Sequence, residues 1–121
     1  LNLFNFSSSG TSLDAGAGVV QNDIIGFALN LTDNQLTVYK NGTQVGSTQT
    51  IASGLTSSGD FFIPVITDDG GSNDVVGSFN FGNPTFTIAS SNSDANGYGS
   101  FEYAVPSGYY ALCTKNLAQY G

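Results

Sequence analysis

At 121 residues the chain is long enough to form one domain with its own core, without help from metal or disulfides. Nine carboxylates face two cations, Lys40 and Lys115, with no Arg or His, for a net charge of -7. That balance argues against a nucleic-acid partner, since phosphate binding depends on Lys and Arg. With 9% charged and 40% hydrophobic residues, and Gly, Ser, Thr and Asn supplying most other polarity, the composition is that of a turn-rich β protein rather than a disordered acidic tail.

Cys113 is the single cysteine, so no intrachain disulfide forms, and it is expected to sit buried as a small hydrophobe. No apolar run approaches roughly 18 residues and no basic segment precedes an apolar one, so neither a membrane span nor a signal peptide is visible. The chain opens on "LNLFNF" without Met, and the expectation is a piece of a longer polypeptide.

Short runs rich in Val, Ile, Phe, Tyr and Thr recur between Gly, Asn, Asp and Ser clusters, while helical periodicity is hard to find. The expected strands are 1 to 6, 23 to 30, 35 to 40, 43 to 50, 61 to 67, 75 to 82 and 99 to 105, with "GYYALCTKNLA" as a final strand running into a tail. This spacing predicts an all-β antiparallel sandwich.

In "QLTVYKNGTQVG" the Asn-Gly pair supplies the two positive φ values of a two-residue type I′ hairpin. The register that follows pairs Lys40 with Thr43, Tyr39 with Gln44 and Val38 with Val45. Leu36, Val38 and Val45 then share one face, and Thr37, Tyr39 and Gln44 the other. Lys40 reads as a solvent contact at the strand end, whose removal costs little. Upstream, Thr32, Asp33 and Asn34 supply a turn, giving a three-stranded meander from about 23 to 50. The segment 89 to 100 reads as the loosest connection.

The densest polar cluster is "TDDGGSND", 67 to 74, where Asp68, Asp69, Asn73 and Asp74 are oxygen donors of the kind Ca²⁺ takes. It lacks the spacing of an EF-hand loop, and the ordinary reading is an acidic turn; no cofactor is expected, Ca²⁺ being the one ion considered. Glycoside hydrolysis needs two carboxyl groups flanking one bond, and Glu102 is the single Glu. A Ser or Cys nucleophile lacks its usual His base.

Tyr98, Phe101 and Tyr103, with Asp68 and Asp69 of the acidic cluster, are the candidate binding residues; Tyr109 and Tyr110 follow closely, and Tyr presents a rigid apolar body with a polar tip. Core filling is the competing role for each. Three Asn-x-Ser/Thr triplets, at Asn5, Asn30 and Asn41, are what chance supplies in a chain this rich in those residues.

The order of motifs carries more than any one of them. "NDIIGFALNLTDNQLTVYKNGTQVG" resembles the centre of a SPRY domain, where an Asp and an Ile-Gly pair open a strand and a "YKNG" hairpin follows. "FFIPVIT" is similar to that family's aromatic-then-Pro strand, and "GSFNFGNPTF" to its "NFG" strand. "VPSGYYALCTKNL" is similar to the ending of SPRY domains in bacteriophage virion proteins.

The resemblance covers about residues 20 to 118 and implies a concanavalin-like sandwich that binds ligands with loops along one edge and does no chemistry. The domain is set at 1 to 118, with 119 to 121 beginning a linker or extension. Only 22 residues precede Asp23, so strands that usually open the family are expected to be missing or reduced here. Exposed edges would then need cover from upstream chain or neighbouring subunits.

The function expected is a non-enzymatic virion structural protein used for adhesion or assembly in a tail, fibre or head decoration. Its partners are other virion proteins, copies of itself, or a host-surface glycan or protein. The alternatives are a carbohydrate-binding lectin module with a Ca²⁺-dependent loop and, further off, a glycan-degrading enzyme using Glu102.

Overall fold

The computed structural model describes residues 2 to 4, 12 to 14, 19 to 51 and 76 to 120, the first two stretches as backbone alone. The strands are β1 (Asn2–Phe4), β2 (Ser12–Asp14), β3 (Ile25–Asn30), β4 (Gln35–Lys40) and β5 (Thr43–Thr50), and α1 (Thr114–Tyr120) closes the chain. β1 pairs antiparallel with β2, and β3, β4 and β5 form an antiparallel sheet in that order. Among the described residues the architecture is β-rich with one short helix. The expected strand 61 to 67 and the cluster 67 to 74 lie outside the described residues.

The meander forms as its turns dictate. Asn41 and Gly42 sit at φ 50° and 77°, the two left-handed positions of a type I′ turn, and Lys40 faces Thr43, Tyr39 faces Gln44 and Val38 faces Val45. In the β3–β4 turn Asn34 takes φ 54°. The Asn30 side chain closes that turn: its Oδ1 accepts from the Thr32 and Asp33 N–H groups at 3.0 Å, and its Nδ2 donates to Asp33 at 2.9 Å.

Beyond Val38 the two strands fall out of step. Leu36 pairs with Gln49, so two residues of advance on β4 are matched by four on β5, where Gly46 takes φ 64°. This bulge bends β5 and brings the Thr37 and Thr48 hydroxyls within 2.9 Å of each other.

The central strand is enclosed on both faces, since adjacent Thr37 and Val38 are both buried. Edge strand β3 is one-sided: Ala28, opposite Thr37, is buried, whereas Phe27 and Leu29, flanking it, stay 49% and 41% exposed. Buried apolar side chains among the described residues are Ala28, Val38, Ile51 and Ala111, mostly small.

Three expectations are corrected. Residues 76 to 82 form no strand, because the Asn80 side chain takes up the local groups, donating to the Ser100 carbonyl at 2.7 Å and accepting from Gly82 N–H at 2.8 Å. The span 99 to 105 holds a single bridge, Phe101 with Asn92, and Gly99 at φ 89° interrupts extension. In the final segment 108 to 113 forms no strand and the chain turns helical from Thr114, with Leu117 N–H donating to the Cys113 carbonyl at 3.1 Å.

Candidate functional site

Three carboxylates organise the described structure, each by gathering backbone N–H donors. Asp23 clamps the start of β3 to the hairpin. Its Oδ2 accepts from Val20 N–H at 2.9 Å and lies 2.9 Å from Lys40 Nζ, while its Oδ1 accepts from Asn41 Nδ2 at 2.7 Å. Asn41 answers by accepting from Ile24 N–H through Oδ1 and donating its own N–H to the Ile24 carbonyl, both at 2.9 Å. Lys40 is therefore an ion-paired residue, its side chain 23% exposed, and not the solvent contact that its place at the strand end suggested. The Val20 N–H, then Lys40 and Asn41, hold the Asp23 carboxyl down at about 2.

Asp94 is the hub of the C-terminal third. The carboxylate is buried, and its Oδ1 accepts from the Asn96 and Tyr98 N–H groups at 2.9 and 3.0 Å. Its Oδ2 accepts from Ala111 N–H at 2.9 Å and from Asn116 Nδ2 at 2.7 Å. Asn116 Nδ2 also donates to the Ala111 carbonyl at 2.9 Å, and Asn116 Oδ1 accepts from Asn96 Nδ2 at 2.9 Å. Burial is the largest single influence on the Asp94 carboxyl and pushes its pKa upward; the donors from Ala111, Asn116, Tyr98 and Asn96 outweigh it and leave the pKa lowered. Far from being loose, 94 to 98 is wound around this side chain, and 89 to 92 is tied to Phe101 and Glu102.

The close approach that completes the hub depends on Gly99. A Cβ there would stand 2.5 Å from the Phe101 ring and 3.0 Å from Ala111 Cβ, at a φ of 89° that side chains resist. Glu102 supplies the third fastening: its carboxylate accepts from Ala89 N–H at 2.8 Å and from the Ser90 hydroxyl at 2.9 Å. Those two donors, the Ala89 N–H first, lower its pKa. A glycosidase acid needs the opposite, a carboxyl kept protonated near neutrality.

The three aromatic candidates meet different neighbours. Tyr98 donates its hydroxyl to Gln119 at 2.6 Å and carries the Lys115 ammonium 5.8 Å from its ring centre. Phe101 packs beneath Gly99, and Tyr103 lies against the hairpin, where a Cβ on Gly42 would stand 2.6 Å from its ring. Of the three, Tyr98 lines a cleft. Asp68, Asp69 and Asp74 lie outside the described residues, and among the described residues no three His, Cys, Asp or Glu side chains gather as a metal would need.

Two clefts meet at the C-terminal segment. The larger, about 360 Å³, is walled by Tyr98, Lys115 and Ser100; the smaller, about 300 Å³, by Phe79, Phe81 and Leu112. Both share Asn83, Cys113 and Thr114, so Cys113 is half-buried at their junction, not sealed in the core as its isolation in the sequence suggested. The Asp94 and Asn116 hub and this double cleft escape sequence reasoning. "DANG" does signal a local turn, but Ala111 and Asn116 lie 17 and 22 residues further on.

Compared with known proteins, the chain matches no family model, no curated protein and no solved structure. The SPRY resemblance therefore rests on the order of the quoted motifs alone.

Proposed function

We propose that the chain is a non-enzymatic structural protein of a bacteriophage virion, with a SPRY-like sandwich serving as a binding module in adhesion or assembly. The observation that carries the binding role is the Asp94 hub, which fixes the C-terminal third while leaving apolar groups outside. Phe79, Phe81, Tyr110 and Leu112 are 46 to 62% exposed. Ordered apolar surface of this kind suits a partner.

The non-enzymatic part is supported by how the carboxylates are used. Asp23, Asp94 and Glu102 are all held ionised by donors that fasten the backbone, so none is tuned as a proton donor at neutral pH. The virion assignment rests on the ordered motifs. The contact between Asp23 and the "YKNG" hairpin gives two of those motifs a shared physical purpose.

Mass spectrometry and immunogold labelling of purified particles test the proposal, with the protein expected at fixed copy number on the virion. Its absence from particles overturns the reading. A glycan-array signal abolished by chelating calcium favours the lectin module in its place.

A further inference from the structure

Taking the binding role above as its basis, we infer that the double cleft is a docking groove for an extended peptide of a partner protein, one that carries an apolar side chain close to a carboxylate. The two clefts share Asn83, Cys113 and Thr114, so they lie side by side and one extended ligand can cross from one to the other. One end is apolar: the Phe79 and Phe81 rings stack 6.3 Å apart at 6°, with Leu112, 62% exposed, beside them.

The other end is cationic. Lys115 makes no ion pair with a carboxylate among the described residues, in contrast to Lys40, which Asp23 neutralises. Among the described residues no Asp or Glu lines either cleft. Asp94, whose loop and helix partners border the larger cleft, turns its oxygens to four donors. A positive spot in an anionic chain focuses a negative ligand group there, and Tyr98 beneath Lys115 limits the directions in which the ammonium points.

The apolar end decides between ligand classes. An acidic saccharide can lay a C–H face on Phe79 or Phe81 but brings no branched or aromatic side chain to Leu112, which is 62% exposed. An apolar side chain followed by a carboxylate fills both ends. Backbone amides of the same peptide suit Asn83 and Thr114 in the middle.

The test uses the full chain and fluorescein-labelled, end-capped hexapeptides with one Phe two residues before one Asp, read by fluorescence anisotropy. Control peptides carry Asn for the Asp or Ala for the Phe, and a glucuronate disaccharide serves as competitor. Each control peptide is expected to bind about fivefold more weakly than the parent, as suits one exposed ion pair or one apolar contact. Lys115→Gln should erase the preference for Asp over Asn, and Lys115→Glu should transfer it to a peptide with Lys in that place.

Because Lys115 is exposed, both variants should keep the parent circular dichroism spectrum. Equal binding of all peptides, a preference untouched by Lys115→Glu, or displacement by the disaccharide at lower concentration than the peptide overturns the groove. Particles that contain the protein while the peptides fail remove the groove and leave the virion role standing.

Discussion

Lys40 Nζ lies 2.9 Å from Asp23 Oδ2, joining two residues that stand seventeen apart in sequence and pinning the first strand of the meander to its hairpin. One of the two cations in the chain thus serves as a fastener, and Asn41, next to it, bonds the other oxygen of the same carboxylate.

The clamp predicts an order of damage. Asp23→Asn keeps the shape but loses the charge that Lys40 pairs with, and it sets an amide where Asn41 donates; Lys40→Ala removes one of three partners. Thermal unfolding should show both variants lowered, Asp23→Asn more than Lys40→Ala, with Asn41→Ala at least as low because it also frees Ile24 N–H. Parental stability of Lys40→Ala would return that side chain to the solvent role its sequence position suggests.

Gly42 is constrained twice. Its φ of 77° disfavours any side chain, and Tyr103 occupies the place of a Cβ. Gly42→Ala should cost about 1–2 kcal/mol in urea unfolding from the backbone conformation alone. Pairing it with Tyr103→Ala should recover the steric share and leave the conformational share, a difference that a double-mutant cycle reads directly.

Replacing Asn116 tests the hub. Asn116→Leu takes a donor from buried Asp94 and from the Ala111 carbonyl, and an unsatisfied buried acceptor costs about 1–3 kcal/mol. Asn116→Asp should be worse at pH 7 than at pH 4, because it faces one carboxylate with another. Chemical denaturation at the two pH values separates these outcomes.

Acid should loosen the protein in a defined window. Asp23, Asp94 and Glu102 all have folded pKa values below their unfolded ones, so the stability they contribute is fully present above pH 4–5 and falls as pH drops through the folded values. For Asp23 that loss runs from its ordinary 3.8 down to about 2. The melting temperature should fall with pH over this range, and Asp23→Asn should flatten its lower part.

The meander was legible because its information is local. An Asn-Gly pair can satisfy two positive φ positions in a row wherever it stands, and alternation then assigns Leu36, Val38 and Val45 to one face. The bulge was not legible, since Gly46 is an ordinary strand residue until the Leu36 and Gln49 pairing forces it out of step. The aromatic run 98 to 103 was visible as composition, but its residues disperse. Tyr98 goes to a cleft, Phe101 beneath Gly99 and Tyr103 to the hairpin, according to contacts that spacing does not encode.

By itself the sequence determined that this is a β-rich chain with a fixed hairpin register, few charges and no usual catalytic base, because turn chemistry and composition act over a few residues. Tertiary structure alone decided that Lys40 is paired, that Asp94 gathers a loop and a helix, and that seven residues ending at Tyr120 coil at all. A helix that short does not hold in isolation. It forms here because buried Asn116 is tied to Asp94 twenty-two positions earlier, and a bond across that distance exists only once the chain between has folded.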